Sequence, residues 1–302
     1  MSDIKLFKVS ANSSTEIQGT ASNLEKSLQR LIETNLENLL GIRFLATEYS
    51  TGKKHGGRID TLGLDENNCP AIIEYKRSSH ENIVSQGLYY LDWLMDHRAE
   101  FNLLVQKEIK KSAADAIDWT SPRLLCIAAD FSKFDIHAVQ QINRSIELIR
   151  YRQFGNELLL LELVNAVEAD SKPEKKKTKG AERTGTDKTV SEWLANLTPN
   201  LATMLESLDT YIRSLGDDVQ RKDLKLYIAF KRLRNFATIV FQKNNLVVFL
   251  KLNPDKAPIF QGITRDVRKV GHWGTGDLEL TLSSLSDLEK VKQLIQQAYD
   301  GI

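Results

Sequence analysis

The chain has 302 residues, of which 41% are hydrophobic and 27% are charged, and its net charge is only +1. This length predicts two domains, and we expect neither a signal peptide nor a membrane-spanning segment, because no stretch has the required apolar run. The two cysteines, Cys69 and Cys126, have no metal-binding spacing and make no disulfide framework, which argues against a disulfide-stabilised secreted domain and favours a cytoplasmic protein.

The first part of the chain, residues 1–169, alternates between helix and strand patterns. Apolar residues at helical spacing predict a first helix over 22–40, which Gly41 would end. The elements predicted after it are a β-hairpin over 58–75, a helix over 81–98, a strand over 124–129, a helix over 136–150 and a strand over 158–163. The order α-β-β-α-β-α-β predicts one domain of the α/β class.

The predicted hairpin carries charged residues in strands that are otherwise apolar. Its turn is centred near Asn67, so Asp60 would lie directly opposite Glu74. Facing carboxylates repel unless a positive group lies between them. Side chains alternate along a strand, so Lys76 would share a face with Glu74. These residue types together are typical of a site for a hard divalent cation and an activated water, although a solvated strand face with a cross-strand ion pair uses the same residues.

The pattern Gly-Arg-Ile-Asp60, thirteen residues, then Glu74-Tyr-Lys76 resembles the PD-(D/E)XK nuclease superfamily, and most closely the nuclease domain of the NucS/EndoMS mismatch endonucleases. That signature continues with Gln-x-x-x-Tyr on the next helix, which Gln86 and Tyr90 match. Residues four apart share one helix face, so both side chains would face the site. The resemblance implies that they position Lys76 and the backbone of the nucleic acid.

The same resemblance implies a restriction-endonuclease-like mixed sheet flanked by helices, and metal-dependent hydrolysis of phosphodiester bonds. Asp60, Glu74 and the backbone carbonyl of Tyr75 would hold Mg²⁺ or Mn²⁺, and Lys76 would orient the water or stabilise the developing charge. This chain has Ile59 where the superfamily pattern has proline. It also shows no N-terminal mismatch-binding domain, which leaves the substrate open.

Other residues near the predicted site have weaker sequence signals. The first helix of the superfamily often supplies a further acid, and the resemblance favours Glu25 over Glu37, although either can be a surface ion-pair partner. Arg58 and Arg77 are candidate phosphate contacts, and Arg58 could equally be structural. The pair Gly56-Gly57 would let a phosphate backbone approach closely or simply make a turn.

Residues 170–190 have almost no apolar content and include the cluster Lys175-Lys176-Lys177, so they predict a basic flexible linker. This cluster could hold DNA loosely or be only a solvated tether. Residues 191–302 predict a second, smaller α+β domain. Its predicted elements are helices near Trp193, over 201–215 and over 221–233, a hairpin over 236–252 with Asn244-Asn245 at the turn, a strand over 278–282 and a helix over 287–299. The glycine cluster over 271–276 predicts a loop.

The second domain resembles an uncharacterised C-terminal domain of bacterial proteins, on the segments Tyr227-Ile-Ala-Phe-Lys231 and Asn235-Phe236. Residues 221–270 hold twelve Lys or Arg against three Asp, a net charge of +9. Lys231, Arg232 and Arg234 are therefore candidates for nucleic-acid contact, with an ordinary charged surface as the alternative.

Two classes of function remain open from the sequence. The first is a metal-dependent DNA endonuclease, serving repair or defence, with a C-terminal DNA-binding or regulatory domain. The second is a non-catalytic protein that keeps the nuclease fold and binds nucleic acid or a partner. The full set of five motif residues favours the first, because a scaffold has no need for facing carboxylates. The sequence does not distinguish DNA from RNA, and double-strand cleavage by one site per chain would favour a homodimer.

Overall fold

The computed structural model describes residues 4–20, 25–77, 82–155, 157–167 and 188–301. The chain divides into two compact units, Met1–Lys172 and Pro173–Ile302, and each unit has its own hydrophobic core. The predicted linker lies outside the described residues except at its end, where Thr189 caps the first helix of the second unit.

The first unit combines nine strands with seven helices in the residues that the structure describes. In chain order these are β1 (Leu6–Ser10), β2 (Ser13–Ile17), β3 (Gly19–Thr20), α1 (Glu25–Thr34), α2 (Leu36–Leu40), β4 (Ile42–Ser50), α3 (Gly52–His55), β5 (Arg58–Asp65), β6 (Pro70–Lys76), α4 (Ile83–Asp96), α5 (Arg98–Glu108), α6 (Lys111–Asp115), β7 (Arg123–Ala128), α7 (Lys133–Gln140), β8 (Ser145–Phe154) and β9 (Leu158–Val167).

Seven of these strands make one mixed sheet in the order β3-β8-β7-β6-β5-β4, with β9 also paired to β8, while β1 and β2 form a separate hairpin. Strands β6, β7 and β8 run parallel, and the other pairs are antiparallel. Helix α1 packs against β5 and β6, and α4 packs against β6 and β7. Every residue of β7 is buried, as expected for a strand covered on both faces. The predicted fold class, a mixed sheet flanked by helices, is confirmed.

The hairpin formed by β5 and β6 has the predicted register. Thr61 pairs with Ile73 and Leu62 with Ile72, so the same register carried one residue further places Asp60 opposite Glu74. The structure therefore confirms the hairpin and its approximate turn position.

The turn end of this hairpin is held by a buried ion cluster. Asp65 accepts hydrogen bonds from the backbone N–H groups of Asn67 and Cys69, at 2.9 and 2.7 Å. The Arg123 guanidinium on β7 donates to Asp65 at 3.1 Å and to Glu147 on β8 at 2.8 Å. The three charged residues are at most 2% exposed. Since a buried charge is costly without a partner, each of them requires the others.

Two expectations for the first unit are wrong, and some of its elements were not predicted. The helix predicted over 22–40 is two helices separated at Asn35, although Gly41 ends the second as predicted with a φ of 65°. Strand β4 was not predicted. The helix predicted over 136–150 ends at Gln140, and residues from Ser145 belong to β8. The charged residues Glu147 and Arg150 interrupt the apolar run of that strand, so the sequence does not show the pattern of a buried strand. Both are accommodated there because they form ion pairs.

The second unit is an antiparallel sheet with helices. In chain order its described elements are α8 (Val190–Leu194), α9 (Pro199–Ser214), β10 (Gln220–Asp223), β11 (Ile228–Lys231), β12 (Asn235–Phe241), β13 (Leu246–Leu250), a 3₁₀ turn (Pro254–Lys256), β14 (Thr264–Asp266), β15 (Leu278–Leu282) and α10 (Leu285–Asp300). The sheet order is β10-β11-β12-β13-β15-β14. Helices α9 and α10 supply buried apolar residues to the core that they share with this sheet.

Most predicted elements of the second unit are confirmed, including the helices near Trp193 and over 201–215, the central hairpin, strand β15, the final helix and the loop over 271–276. The helix predicted over 221–233 is wrong, because β10 and β11 form a hairpin there. Tyr227 and Phe230 are three residues apart, which looks like helical spacing, but pairing with β12 on the far side of β11 fixes the extended conformation.

Candidate active site

The two facing carboxylates lie at the end of the β5–β6 ladder. The backbone N–H of Asp60 donates to Glu74 Oε1 at 3.3 Å, and the backbone N–H of Tyr75 donates to Asp60 Oδ2 at 3.0 Å. Each carboxylate thus reaches backbone of the other strand. Glu74 is 0% exposed and Asp60 is half-buried, so the pair sits at the border between the sheet interior and solvent.

This placement changes the acidity of both groups. Burial, and after it the nearby Asp60 carboxylate, raise the pKa of Glu74 to about 9, although the Asp60 N–H and the Lys76 ammonium oppose the rise. Burial also raises the pKa of Asp60, against the Tyr75 N–H and Lys76. The site therefore holds two acids whose ionised forms need more positive charge than the chain supplies. A bound cation would provide it.

Lys76 is half-buried at the carboxyl end of β6, with its ammonium 3.8 Å from Glu25 Oε1. Glu25 is the first residue of α1, and its charge also raises the pKa of Asp60. Glu37 lies on α2, where burial lowers the pKa of Arg43 and the charges of Asp65 and Glu37 partly oppose that lowering. Of the two acids between which the sequence left a choice, the structure places Glu25 beside the site.

The motif pair on α4 reaches the site. Gln86 Nε2 donates to Glu74 Oε2 at 3.0 Å and lies 3.5 Å from the Tyr90 hydroxyl oxygen. That hydroxyl accepts from the backbone N–H of Arg58 at 3.2 Å. These hydrogen bonds hold Glu74 and the start of β5, and the expected action of Gln86 and Tyr90 on Lys76 stays a prediction.

Behind Asp60 lies a polar network that the sequence interpretation missed. The buried Gln29 side chain donates to the backbone carbonyl of Asp60 at 2.8 Å, to Thr47 Oγ1 at 3.1 Å and to Glu33 Oε1 at 3.1 Å. The hydroxyl of Thr61 donates to Glu33 Oε1 at 2.6 Å. A sequence signal existed: residues 25, 29 and 33 are polar and spaced by four, which places them on one face of α1.

A second missed acid, Glu48, lies beside the site on β4. Its carboxylate forms an ion pair with Arg58 and raises the pKa of Asp60. Glu48 has a φ of 52°, a left-handed backbone that is uncommon for residues other than glycine. Arg58 is exposed despite this ion pair, and Arg77, next to Lys76 in the chain, is exposed as well. Both arginines can therefore reach a ligand in solvent.

The donor set fits a small divalent cation. The chain supplies fewer than three such ligands: in the part that the structure describes, no group of three or more His, Cys, Asp or Glu side chains is arranged to hold a metal. Asp60 and Glu74 supply two carboxylates, and Mg²⁺ is commonly held by one or two carboxylates with water at its other positions. The Tyr75 carbonyl as a third ligand stays a prediction.

The predicted basic face of the second unit is only partly open to solvent. Lys231 is only 3% exposed, so its assignment as a nucleic-acid contact is wrong: it ends β11 on a covered part of the sheet. Arg232 pairs with Asp218 and lies over the Tyr299 ring, 4.6 Å from its centroid, and Arg234 is half-buried. Other basic side chains of this segment are paired with acids, namely Arg221 with Asp209 and Asp223, Arg265 with Glu279, and Arg268 with Asp255 and Asp266.

Comparison with known proteins gives one relative that matches along the whole chain. An uncharacterized protein of Haemophilus influenzae is 30% identical over 302 residues, which span 98% of this chain and 99% of that protein. The chain belongs to this protein's family. That relative is itself described only as uncharacterized, so membership alone assigns no function to the site.

Two further comparisons concern parts of the chain. Residues 190–301 match a domain of unknown function, DUF5655, in agreement with the expected resemblance to an uncharacterised C-terminal domain. A solved structure described as an EndoMS-dsDNA2 complex aligns with 46% of this chain and 49% of its own, about half of each, with 18% identity and a TM-score of 0.25. At that TM-score the likeness does not establish a common fold. Within the described ranges, no helix is long and apolar enough to cross a bilayer.

Proposed function

We propose that this chain is a metal-dependent nuclease that hydrolyses phosphodiester bonds, with DNA as its substrate. The observation that carries the proposal is the pair of adjacent carboxylates, Asp60 and the buried Glu74, with the Lys76 side chain following on the same strand. The pKa of each acid is raised, chiefly by burial, so the fold holds both carboxylates in a place where their ionised forms are disfavoured. Sites that bind cations have this property, because the ion supplies the missing charge.

Asp60 and Glu74 would hold Mg²⁺ or Mn²⁺, and the Tyr75 carbonyl is a further candidate ligand. When bound, such an ion supplies positive charge to the phosphate oxygens and lowers the pKa of a coordinated water. The chain's own contribution is to orient these oxygens. Gln86 and the Asp60 N–H fix the two oxygens of Glu74, and the Tyr75 N–H fixes Asp60.

Lys76 supplies a positive charge at the same edge of the sheet. Its ammonium would orient the attacking water or stabilise the charge that develops on the phosphate. The nearby Glu25 carboxylate, 3.8 Å from this ammonium, forms an ion pair that helps to keep it in place. The exposed guanidinium groups of Arg58 and Arg77 would contact phosphates on either side of the scissile bond.

The alternative function, a non-catalytic binding protein with the same fold, does not require the adjacent carboxylates of Asp60 and Glu74. A structural role would be served better by an apolar pair at positions 60 and 74, because burying two acids beside each other is destabilising. The buried cluster of Arg123 shows how the same sheet neutralises its structural acids, by direct ion pairs. No such guanidinium pair is formed by the carboxylates of Asp60 or Glu74 in the described residues.

The biological role, the cellular compartment and the number of chains are also part of the proposal. DNA repair or defence against foreign DNA, in the cytoplasm, would use this chemistry, and a double-strand cut would use two copies of the chain.

The test uses the full chain and labelled single-stranded, duplex and branched DNA and RNA, each with Mg²⁺, Mn²⁺ or EDTA. We expect cleavage that requires the metal and falls by at least about a hundredfold in Asp60→Asn and in Lys76→Met. Exposed residues provide the controls, Asp92→Asn on α4 and Lys107→Met on α5, which should cut as the parent does. Cutting in EDTA, or cutting that survives in both site variants, would overturn the proposal. Binding without any cutting would favour the binding protein.

A further inference from the structure

A row of aromatic rings begins at the candidate site and leads away from it. Tyr90, whose hydroxyl contacts Arg58, has its ring centroid 6.0 Å from that of Tyr89. Tyr89 lies 5.6 Å from His55, and His55 lies 5.7 Å from His97. The row continues into Trp93, which stacks on His97 at 4.6 Å. The first two rings of the row come from consecutive residues of α4.

Within this row, Tyr89 is the ring that faces solvent most. It is 47% exposed, whereas its neighbour Tyr90 is 7% exposed and Trp93 is 2% exposed. Its position is nevertheless fixed, because its hydroxyl donates to the backbone carbonyl of His55 at 2.9 Å. An exposed aromatic ring held at both its edge and its hydroxyl offers a rigid flat surface.

The charges around this surface suit a polyanion. Lys53 is exposed on α3, the short helix that carries His55, and Arg58 is exposed at the start of β5. Tyr90 joins the two regions, since its hydroxyl accepts from the Arg58 N–H. A strand whose phosphate lies at Asp60 and Glu74 would therefore pass basic groups and then the Tyr89 ring.

We infer that Tyr89, with His55 beside it, is a stacking site for the base of an unpaired nucleotide next to the scissile phosphate. The inference rests on the proposed nuclease function and adds a substrate class to it. Bases within a duplex are already stacked on each other, so only a base outside the stack can lie on this ring. Substrates with single-stranded or unpaired nucleotides beside the cut are then preferred over continuous duplex.

The test measures binding apart from cleavage, with the full chain in EDTA at fixed salt. Fluorescence anisotropy follows a labelled single-stranded 20-mer and the same strand in a duplex, and 2-aminopurine in the strand reports stacking. We expect Tyr89→Leu to weaken single-strand binding about tenfold, equivalent to about 1.4 kcal/mol, and to abolish the quenching of 2-aminopurine. Duplex binding should change less than about twofold. Thermal unfolding checks that each variant is folded.

Two further variants sharpen the result. Tyr89→Phe keeps the ring and loses only the bond to the His55 carbonyl, so it should retain most of the single-strand affinity. Phe44→Leu is the matched control, because Phe44 is 43% exposed and pairs with Gly63, further along β5 from Asp60. Unchanged single-strand binding in Tyr89→Leu, or an equal loss for both substrates, would overturn the inference. The proposed function fails separately, through absence of metal-dependent cleavage in the parent chain.

Discussion

The side-chain amide of Gln86 donates a 3.0 Å hydrogen bond to Oε2 of Glu74, and so connects helix α4 to the buried carboxylate on strand β6. The other oxygen of Glu74 accepts from the backbone N–H of Asp60. Both oxygens are therefore oriented by the chain before any cation binds. Donors of this kind, one step removed from a metal, tune how tightly the metal is held.

Replacing Gln86 by methionine should weaken the binding of the cation. The change keeps the volume and removes the donor to Glu74, so we expect the Mg²⁺ concentration for half-maximal cleavage to rise about tenfold. Gln106→Met, on the exposed face of α5, is the control and should leave that concentration unchanged. An identical Mg²⁺ dependence in Gln86→Met and the parent would mean that this hydrogen bond has no role at the metal.

Stability in the absence of divalent cations should fall as the pH rises. The pKa of Glu74 is about 9 in the folded chain and near its usual 4.5 when unfolded, so between these values the folded state binds more protons. The free energy of unfolding in EDTA, measured by urea titration, should therefore be about 2 kcal/mol or more lower at pH 8.5 than at pH 5.5.

The variant Glu74→Gln separates this effect from the other titrating groups. It cannot ionise, so its stability should depend less on pH over the same range, while Mg²⁺ at pH 8.5 should stabilise the parent and not the variant. The same pH dependence in both chains would show that Glu74 is not the group responsible.

The ion cluster at the turn of the hairpin should be essential for stability. Arg123→Met leaves Asp65 and Glu147 buried without their common partner, and we expect a loss of about 3–5 kcal/mol in the free energy of unfolding. Lys107→Met removes an ion pair with Glu108 from a side chain that is 79% exposed, and should change stability by less than about 1 kcal/mol. Equal losses in the two variants would contradict a special role for the buried cluster.

Gly57 lies so close to Tyr90 that a methyl group cannot be added without movement. A Cβ atom built at Gly57 would be 2.5 Å from Tyr90 Cε1, whereas one built at Gly271 meets nothing within 4 Å. Neither glycine has a left-handed backbone, so the two substitutions to alanine differ only in what surrounds the added methyl group. We expect Gly57→Ala to displace the phenol and lower the cleavage rate about tenfold, with Gly271→Ala silent in the same assay. Full activity in Gly57→Ala would show that the position of Tyr90 does not matter.

Local patterns in the sequence were sufficient to predict the structure where short-range interactions determine it. Asp60 lies opposite Glu74 because a turn of six residues separates two apolar runs. Gln86 and Tyr90 both point toward the site because they are four residues apart on one helix. The hydrogen bond from Gln86 to Glu74 could not be predicted from this spacing. Whether an amide meets a carboxylate or an ammonium depends on how far the helix is displaced along the strand, which spacing alone does not fix.

The errors occur where distant residues decide the conformation. Strand β8 contains charged residues that looked like a helix surface, and its pairing with β7 and the ion pairs of Glu147 and Arg150 become visible only in three dimensions. Lys231 looked like part of a basic face because acids such as Asp209 and Asp218, which neutralise its neighbours, lie outside that segment of sequence. Glu48 had no signal, since its strand was not predicted.

The shared guanidinium of Arg123 also has a consequence for how the chain folds. Asp65 is satisfied locally by the N–H groups of its own turn, but its charge is neutralised by a residue 58 positions later, which in turn requires Glu147, 24 positions beyond that. A hairpin usually closes in microseconds, whereas contacts across such separations form slowly. The β5–β6 hairpin should therefore acquire its native rigidity late in refolding, only after β7 and β8 have assembled beside it. A ribosome-bound chain ending before residue 147 would carry the complete motif without a stable site.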